Sequence, residues 1–139
     1  MNPKRLILAV VAVFIGLFAT DFLVHGVWLQ SLYKESASLW RNEAEMQHHQ
    51  AYLFAGQFLS TLMFVLIWAN ATRATLPRAC AFGLCMGLFG QAMTFIMYAV
   101  QPLPGAIAVR WVIAGAAQGV LMGLIAHGVY KPKPASTTA

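Results

Sequence analysis

Four long apolar runs, separated by short polar ones, account for almost the whole chain: residues 6–32, 51–71, 79–100 and 106–130. None shows the two-residue alternation of a strand, and each reaches the roughly 20 residues a helix needs to cross a hydrocarbon core. A soluble domain would have to hide four helices that are apolar on every face, and a chain of 139 residues cannot bury that much surface. Closed barrels also span membranes, but their strands alternate over segments of about ten residues, and these runs do not. The pattern predicts an all-α polytopic membrane protein.

The breaks between the runs set its topology. Pro77 opens the third helix after the short segment "NATRATLP", and "QPLPG" makes a tight turn with Pro104 placed to start the fourth. Such short connections put successive helices antiparallel, giving an up-down-up-down four-helix transmembrane bundle over residues 1–130 as a single domain. The polar, Pro-broken tail 131–139 is expected to be disordered. Lys4 and Arg5 before an apolar run imitate a secretory signal, but no small-x-small cleavage site follows and the run resumes after Asp21, so a retained helix is expected. The longest connection, "YKESASLWRNEAEMQHHQ", contains Asn42 ahead of Glu43 and Glu45, an N-cap with acids in the first turn.

Charge adds orientation. Only 9% of residues are charged, against about 25% in an average soluble domain. Lys4, Arg5, Arg73, Arg78, Lys131 and Lys133 fall on one side, while the loops on the other hold only Lys34 and Arg41, beside Glu35, Glu43 and Glu45, with Arg110 just inside that end of the fourth helix. The basic side faces the cytoplasm, which puts both termini inside. The net charge of +5 is then a consequence of topology and anionic headgroups, so the lipid bilayer is the expected partner and nucleic acid is not. Trp28, Tyr33, Trp40, Tyr52, Tyr98 and Trp111 read as the outer aromatic belt, Trp68 and Tyr130 as the inner one. Cys80 and Cys85, five apart, suit neither a disulfide nor a metal pair.

Small residues predict close helix packing. Gly115, Gly119 and Gly123 form one stripe on the fourth helix, and Gly83 and Gly87 another on the third. Their partners can lie within the bundle, in a homo-oligomer or in a larger membrane complex, and the spacing leaves this open.

Polar residues inside the runs carry the candidate chemistry. At about 1.5 Å per residue, Gln118 lies at the bilayer centre, Gln91 slightly outward, Asp21 and Gln57 roughly 6 Å outward, and His25 and Arg110 roughly 12 Å outward. All four helices thus contribute to one slab in the outer half, with Asp21 and His25 one turn apart on the first helix and Arg110 and Gln118 on one face of the fourth. Asp21 is expected to be held by His25 and Arg110. A carboxylate costs about 2.5–3.5 kcal/mol at the centre of a span and less nearer the surface, which the apolar residues of the first helix offset. Such a cluster is a functional-site hypothesis by default. The alternative is interhelical glue worth about 0.6 kcal/mol per polar contact.

Three uses follow. An accessory or interaction protein of the membrane, not an enzyme, is the first expectation. A carboxylate that binds and releases a proton midway across the membrane also suits proton-linked transport of a small solute or cation. A metal site on the outer side is the third, with Asp21, His25, Glu45, His48 and His49 as candidate ligands. Haem is not expected, because His25 and His127 lie toward opposite surfaces.

The segments "DFLVHGVWLQSLY" and "LWRNEAEM" resemble a group of small bacterial inner-membrane proteins of similar length with four predicted spans and no established activity. The likeness is concentrated in residues 21–46. It implies the four-helix plan and a bacterial inner-membrane location, and it implies no substrate, cofactor or catalytic residue.

Overall fold

The computed structural model describes residues 2–71 and 74–131. The tail expected to be disordered lies outside the described residues except for Lys131, as do two of the basic residues used for orientation, Arg73 and Lys133. The fold is all-α, a four-helix bundle. Helix α1 (Pro3–Asp21) runs on through a π-helical segment, Phe22–Trp28; α2 (Gln30–Glu35) and a 3₁₀ turn (Ala37–Leu39) cross the outer end; α3 (Glu43–Ala69), α4 (Leu76–Val100) and α5 (Gly105–Val129) complete it. Four helical stretches, Pro3–Trp28 and the three long helices α3, α4 and α5, are long and apolar enough to cross a membrane. The chain is a multi-pass integral membrane protein.

The helix starts follow from the residues the sequence places there. Asn2 and Asn42 cap α1 and α3, their side-chain oxygens accepting from the Arg5 and Glu45 backbone amides at 3.2 and 2.9 Å. Pro3 and Pro77 occupy first-turn positions of α1 and α4, where no amide hydrogen is needed, and Pro104 is the N-cap of α5. The first apolar run is not one uniform helix. After Asp21 the bonding widens to the i→i+5 pattern, ends with the Leu29 amide on the Val24 carbonyl at 2.9 Å, and the chain then turns into α2.

Helix α5 is the hub: a third of its membrane window is buried, against 11% for α4. It packs on α4 along one side and on α1 along another, and α3 lies on the far side of α1. Helices α3 and α4, although joined by a short loop, meet where Phe64 and Trp68 pack at tilted angles against Phe82, near that loop.

The glycine stripes find their partners inside this chain. A Cβ on Gly83 would strike the Gly119 carbonyl, one on Gly87 the Gly115 carbonyl, one on Gly119 the Gly83 carbonyl, and one on Gly123 the Ala79 carbonyl. Backbone therefore lies on backbone along the whole α4–α5 seam, with dispersion contacts taking the place of a hydrophobic drive that lipid does not supply.

The two ends of the bundle differ. The half toward the termini is filled by Ala9, Val10, Val13, Phe64, Val65, Trp68, Met122 and Ala126, all buried, and Trp68 donates its indole N–H to the Tyr130 carbonyl at 2.8 Å. The opposite half holds the polar slab. Large apolar side chains such as Ile7, Phe22, Phe89, Phe95 and Val100 point outward, as lipid-facing positions should.

Candidate functional site

Asp21 is the last residue of α1 before the helix widens. Its carboxylate takes one amide from each of two other helices: Gln57 Nε2 on α3 lies 2.5 Å from Oδ2, and Gln118 Nε2 on α5 lies 2.6 Å from Oδ1. Gln118 spends its second N–H on the Thr20 hydroxyl at 3.1 Å. Thr20 gives its own proton back to the α1 carbonyls of Gly16 and Leu17, each at 2.9 Å. The result is a three-helix knot of α1, α3 and α5 around one carboxylate, and charge-assisted bonds of this kind are about twice as strong as neutral ones.

The residues expected to hold Asp21 do something else. The Arg110 guanidinium sits 5.5 Å from the centre of the Trp28 ring, a cation–π contact. His25 turns to the loop. Its Nδ1 lies 2.6 Å from the Tyr33 hydroxyl, the two rings stack, and Trp111 Nε1 donates to the same hydroxyl at 2.7 Å. Since the Tyr33 oxygen already accepts from the indole, its own proton is free to go to His25 Nδ1, which leaves Nε2 as the protonated ring nitrogen. His25 lies within the π-helical segment and is directed to Tyr33 rather than back to the carboxylate.

Tyr33, Trp40 and Trp111 form an aromatic lid, with Trp40 against both other rings and its indole N–H donating to Ser36 Oγ at 2.9 Å. Tyr33 lies in α2, beyond the spanning segment, and burial pushes its phenol above the ordinary value of 10.0, with the indole bond from Trp111 working the other way and the Asp21 charge adding to the rise. It stays a neutral donor at any physiological pH.

Beneath the lid is a cavity of about 240 Å³ between α1, α4 and α5. His25 and Trp111 line its outer end, Gln91 and Thr94 its α4 wall, and Ala114 and Gln118 its α5 wall. At about 30 Å³ per water it has room for roughly eight atoms of water size. Thr94 donates to Gln91 Oε1 at 2.7 Å, which fixes that amide with its NH₂ as the free end. The Gln91 side chain also lies against Gly115, where a Cβ would collide with it. Gln118, with both hydrogens committed to Asp21 and Thr20, keeps its carbonyl oxygen as an acceptor. The cavity is thus walled by neutral donors and acceptors, with the one carboxylate behind Gln118.

Five of the six slab residues therefore serve one region: Asp21, Gln57 and Gln118 in the knot, and His25, Gln91 and Gln118 on the cavity. Arg110 stands apart at the rim. Thr20 joins the site with no signal in the sequence pattern, Tyr33 joins it although it reads only as a belt residue, and Thr94 joins it as the residue that extends the Gln91 face. The metal ligands do not converge: among the described residues no group of three or more His, Cys, Asp or Glu side chains could hold an ion. His49 instead bonds the Glu45 carbonyl at 2.8 Å through Nδ1 and packs against His48 and Tyr52. His127, far from this region, packs edge-on against Trp68.

No family model matches the chain, and neither a curated protein nor a solved structure is similar to it.

Proposed function

We propose that this chain is a non-catalytic accessory protein of the bacterial inner membrane whose outer half binds a small polar solute from the periplasmic side. One observation carries the reading: the polar groups and the pocket lie in one half of the bundle, while the other half has an apolar core, which favours entry of a solute at the polar end. The basic residues Lys4, Arg5, Arg78 and Lys131 gather at the plugged end, which supports a cytoplasmic placement for that end. The resemblance of residues 21–46 to small bacterial inner-membrane proteins supports the same compartment. The cavity's neutral donors and acceptors favour an uncharged solute of a few heavy atoms, one able both to give and to accept a hydrogen bond.

The glycine stripes give no support to a docking role, because α4 and α5 use them on each other. Proton-linked transport remains the second reading. The feature in its favour is the apolar core in the half of the bundle toward the termini, a one-sided closure of the kind alternating access requires.

The test is thermal unfolding and Trp emission of the purified protein against a panel of small amides, polyols, amino acids and amines. A solute that raises the midpoint in the native protein and does nothing for Ala114→Leu, which fills the cavity, supports the reading. A panel without effect on either protein overturns it.

A further inference from the structure

Two buried oxygens on α3 have no partner: Gln57 Oε1 and Thr61 Oγ1. Their residues lie one turn apart on α3, about 6 Å of rise, and the other end of the Gln57 amide holds the Asp21 carboxylate at 2.5 Å. Thr61 is fully buried. A threonine in a helix ordinarily returns its hydroxyl to a carbonyl one turn back, and Thr20 does so to Gly16 and Leu17. Thr61 does not, although burying a hydroxyl without a bond costs on the order of 1–3 kcal/mol. Both lone oxygens face the bundle interior rather than lipid.

The charge balance of the knot points the same way. Both Asp21 oxygens accept from neutral amides, the Arg110 guanidinium is over Trp28, and His25 bonds Tyr33, so among the described residues no cationic side chain answers the carboxylate. In hydrocarbon an unanswered charge is costly. A carboxylate, an amide carbonyl and a hydroxyl are hard oxygen ligands, the set that suits cations of the alkali and alkaline-earth groups and not softer metals. One carboxylate balances one positive charge, and a divalent ion would leave an excess in the membrane.

From these observations we infer that Gln57 Oε1, Thr61 Oγ1 and the Asp21 carboxylate form a binding site for a small monovalent cation of sodium's kind. The site is separate from the solute cavity, since neither Gln57 nor Thr61 lines it. Occupancy ties α1 to α3 and completes the charge balance of the α1–α3–α5 knot. The groups nearest the carboxylate that carry or gain charge, His25, Tyr33 and Arg110, all lie on its outer side, so the inward face is left to the cation.

The experiment is thermal unfolding of the purified full chain in detergent, in sodium, lithium, potassium or choline chloride at equal ionic strength and at several pH values. The midpoint should rise with sodium concentration over the choline baseline. Thr61→Val, which keeps the shape and removes one ligand, should lose at least half of that rise while folding as well as the native chain in choline. Asp21→Asn should lose all of it. Identical midpoints in all four salts would overturn the inference and leave a buried water, which answers no salt, between the two oxygens. A midpoint that rises on acidification but ignores the cation would overturn it too, by making a proton the counter-charge. A sodium effect that survives intact in Thr61→Val would move the ion elsewhere. None of these outcomes bears on the cavity, whose test uses Ala114→Leu.

Discussion

Gln118 and Asp21 are joined at 2.6 Å across the α1–α5 interface, with the amide as donor and the carboxylate as acceptor. Removing Gln118 leaves Asp21 Oδ1 without its donor, and removing Asp21 as well leaves the Gln57 amide without its acceptor, so only loss of all three members strands nothing. Gln118→Leu should therefore destabilise the protein by about 1.5–3 kcal/mol, while Asp21→Leu combined with Gln57→Leu and Gln118→Leu should recover much of the loss. Midpoints of Gln118→Leu and the triple variant decide it. A triple variant no more stable than Gln118→Leu would mean that the bonds are not what these residues contribute.

The α4–α5 seam makes a prediction about glycine alone. Gly119→Ala puts a methyl group into the Gly83 carbonyl and the Gly87 backbone, so the helices must part, and loss of folded protein or a drop of several degrees is expected. Gly90→Ala, further along the same helix α4 and with nothing within 4 Å, should be neutral or gain about 0.5–1 kcal/mol from helix propensity. Equal behaviour of the two variants in a melting comparison would argue against backbone contact.

Tyr33 links the lid to the bundle through two hydrogen bonds, and Tyr33→Phe breaks both. The expected cost is about 1–3 kcal/mol, with a change in Trp111 emission as its indole N–H loses its acceptor. Alkali gives a second readout. Because the folded phenol holds its proton to higher pH than the ordinary 10.0, the stability it contributes is complete below about pH 10 and declines as pH rises toward and through the folded value. Unfolding midpoints followed above pH 9 should fall more steeply in the native protein than in Tyr33→Phe. Parallel curves would place the alkaline response elsewhere.

Orientation is checked at Ser38, in the 3₁₀ turn of the outer connection and exposed. Ser38→Cys, in a background with Cys80 and Cys85 replaced by alanine, should react with a membrane-impermeant thiol reagent in intact cells. Reaction only after lysis would reverse the bundle in the membrane and move the solute site to the cytoplasmic side.

The gross plan was legible in the hydrophobic pattern because lipid demands it: four apolar runs, Pro77 and Pro104 at helix starts and Asn42 as a cap are local signals with local causes. Depth alone brought Asp21, Gln57 and Gln118 together, since a helix has a fixed rise per residue. Pairing within the slab was not legible. Charge alone points Arg110 at Asp21, but the guanidinium lies over the Trp28 ring, and attraction to a ring face leaves no mark in the charge pattern. The π-helical segment has no periodicity of its own in seven residues, so the parting of His25 from Asp21 could not be read. Tyr33 and Trp111 looked like belt residues because ring composition says nothing of where a hydroxyl or an indole N–H is aimed. Thr61 gave no signal at all, as a lone threonine in an apolar helix is ordinarily silent.

Asp21 and Gln118 are 97 positions apart, and the Trp68 indole waits 62 positions for the Tyr130 carbonyl. During synthesis the carboxylate enters the bilayer early, and its second amide arrives only with the last helix. Helix α5 therefore acts as the keystone of biogenesis: until it is laid against α1, the early helices carry an exposed polar defect that a membrane protease or insertion chaperone can recognise. A nascent chain halted in the 101–104 turn would be held in that state, which makes arrival of the fifth helix a natural checkpoint for quality control.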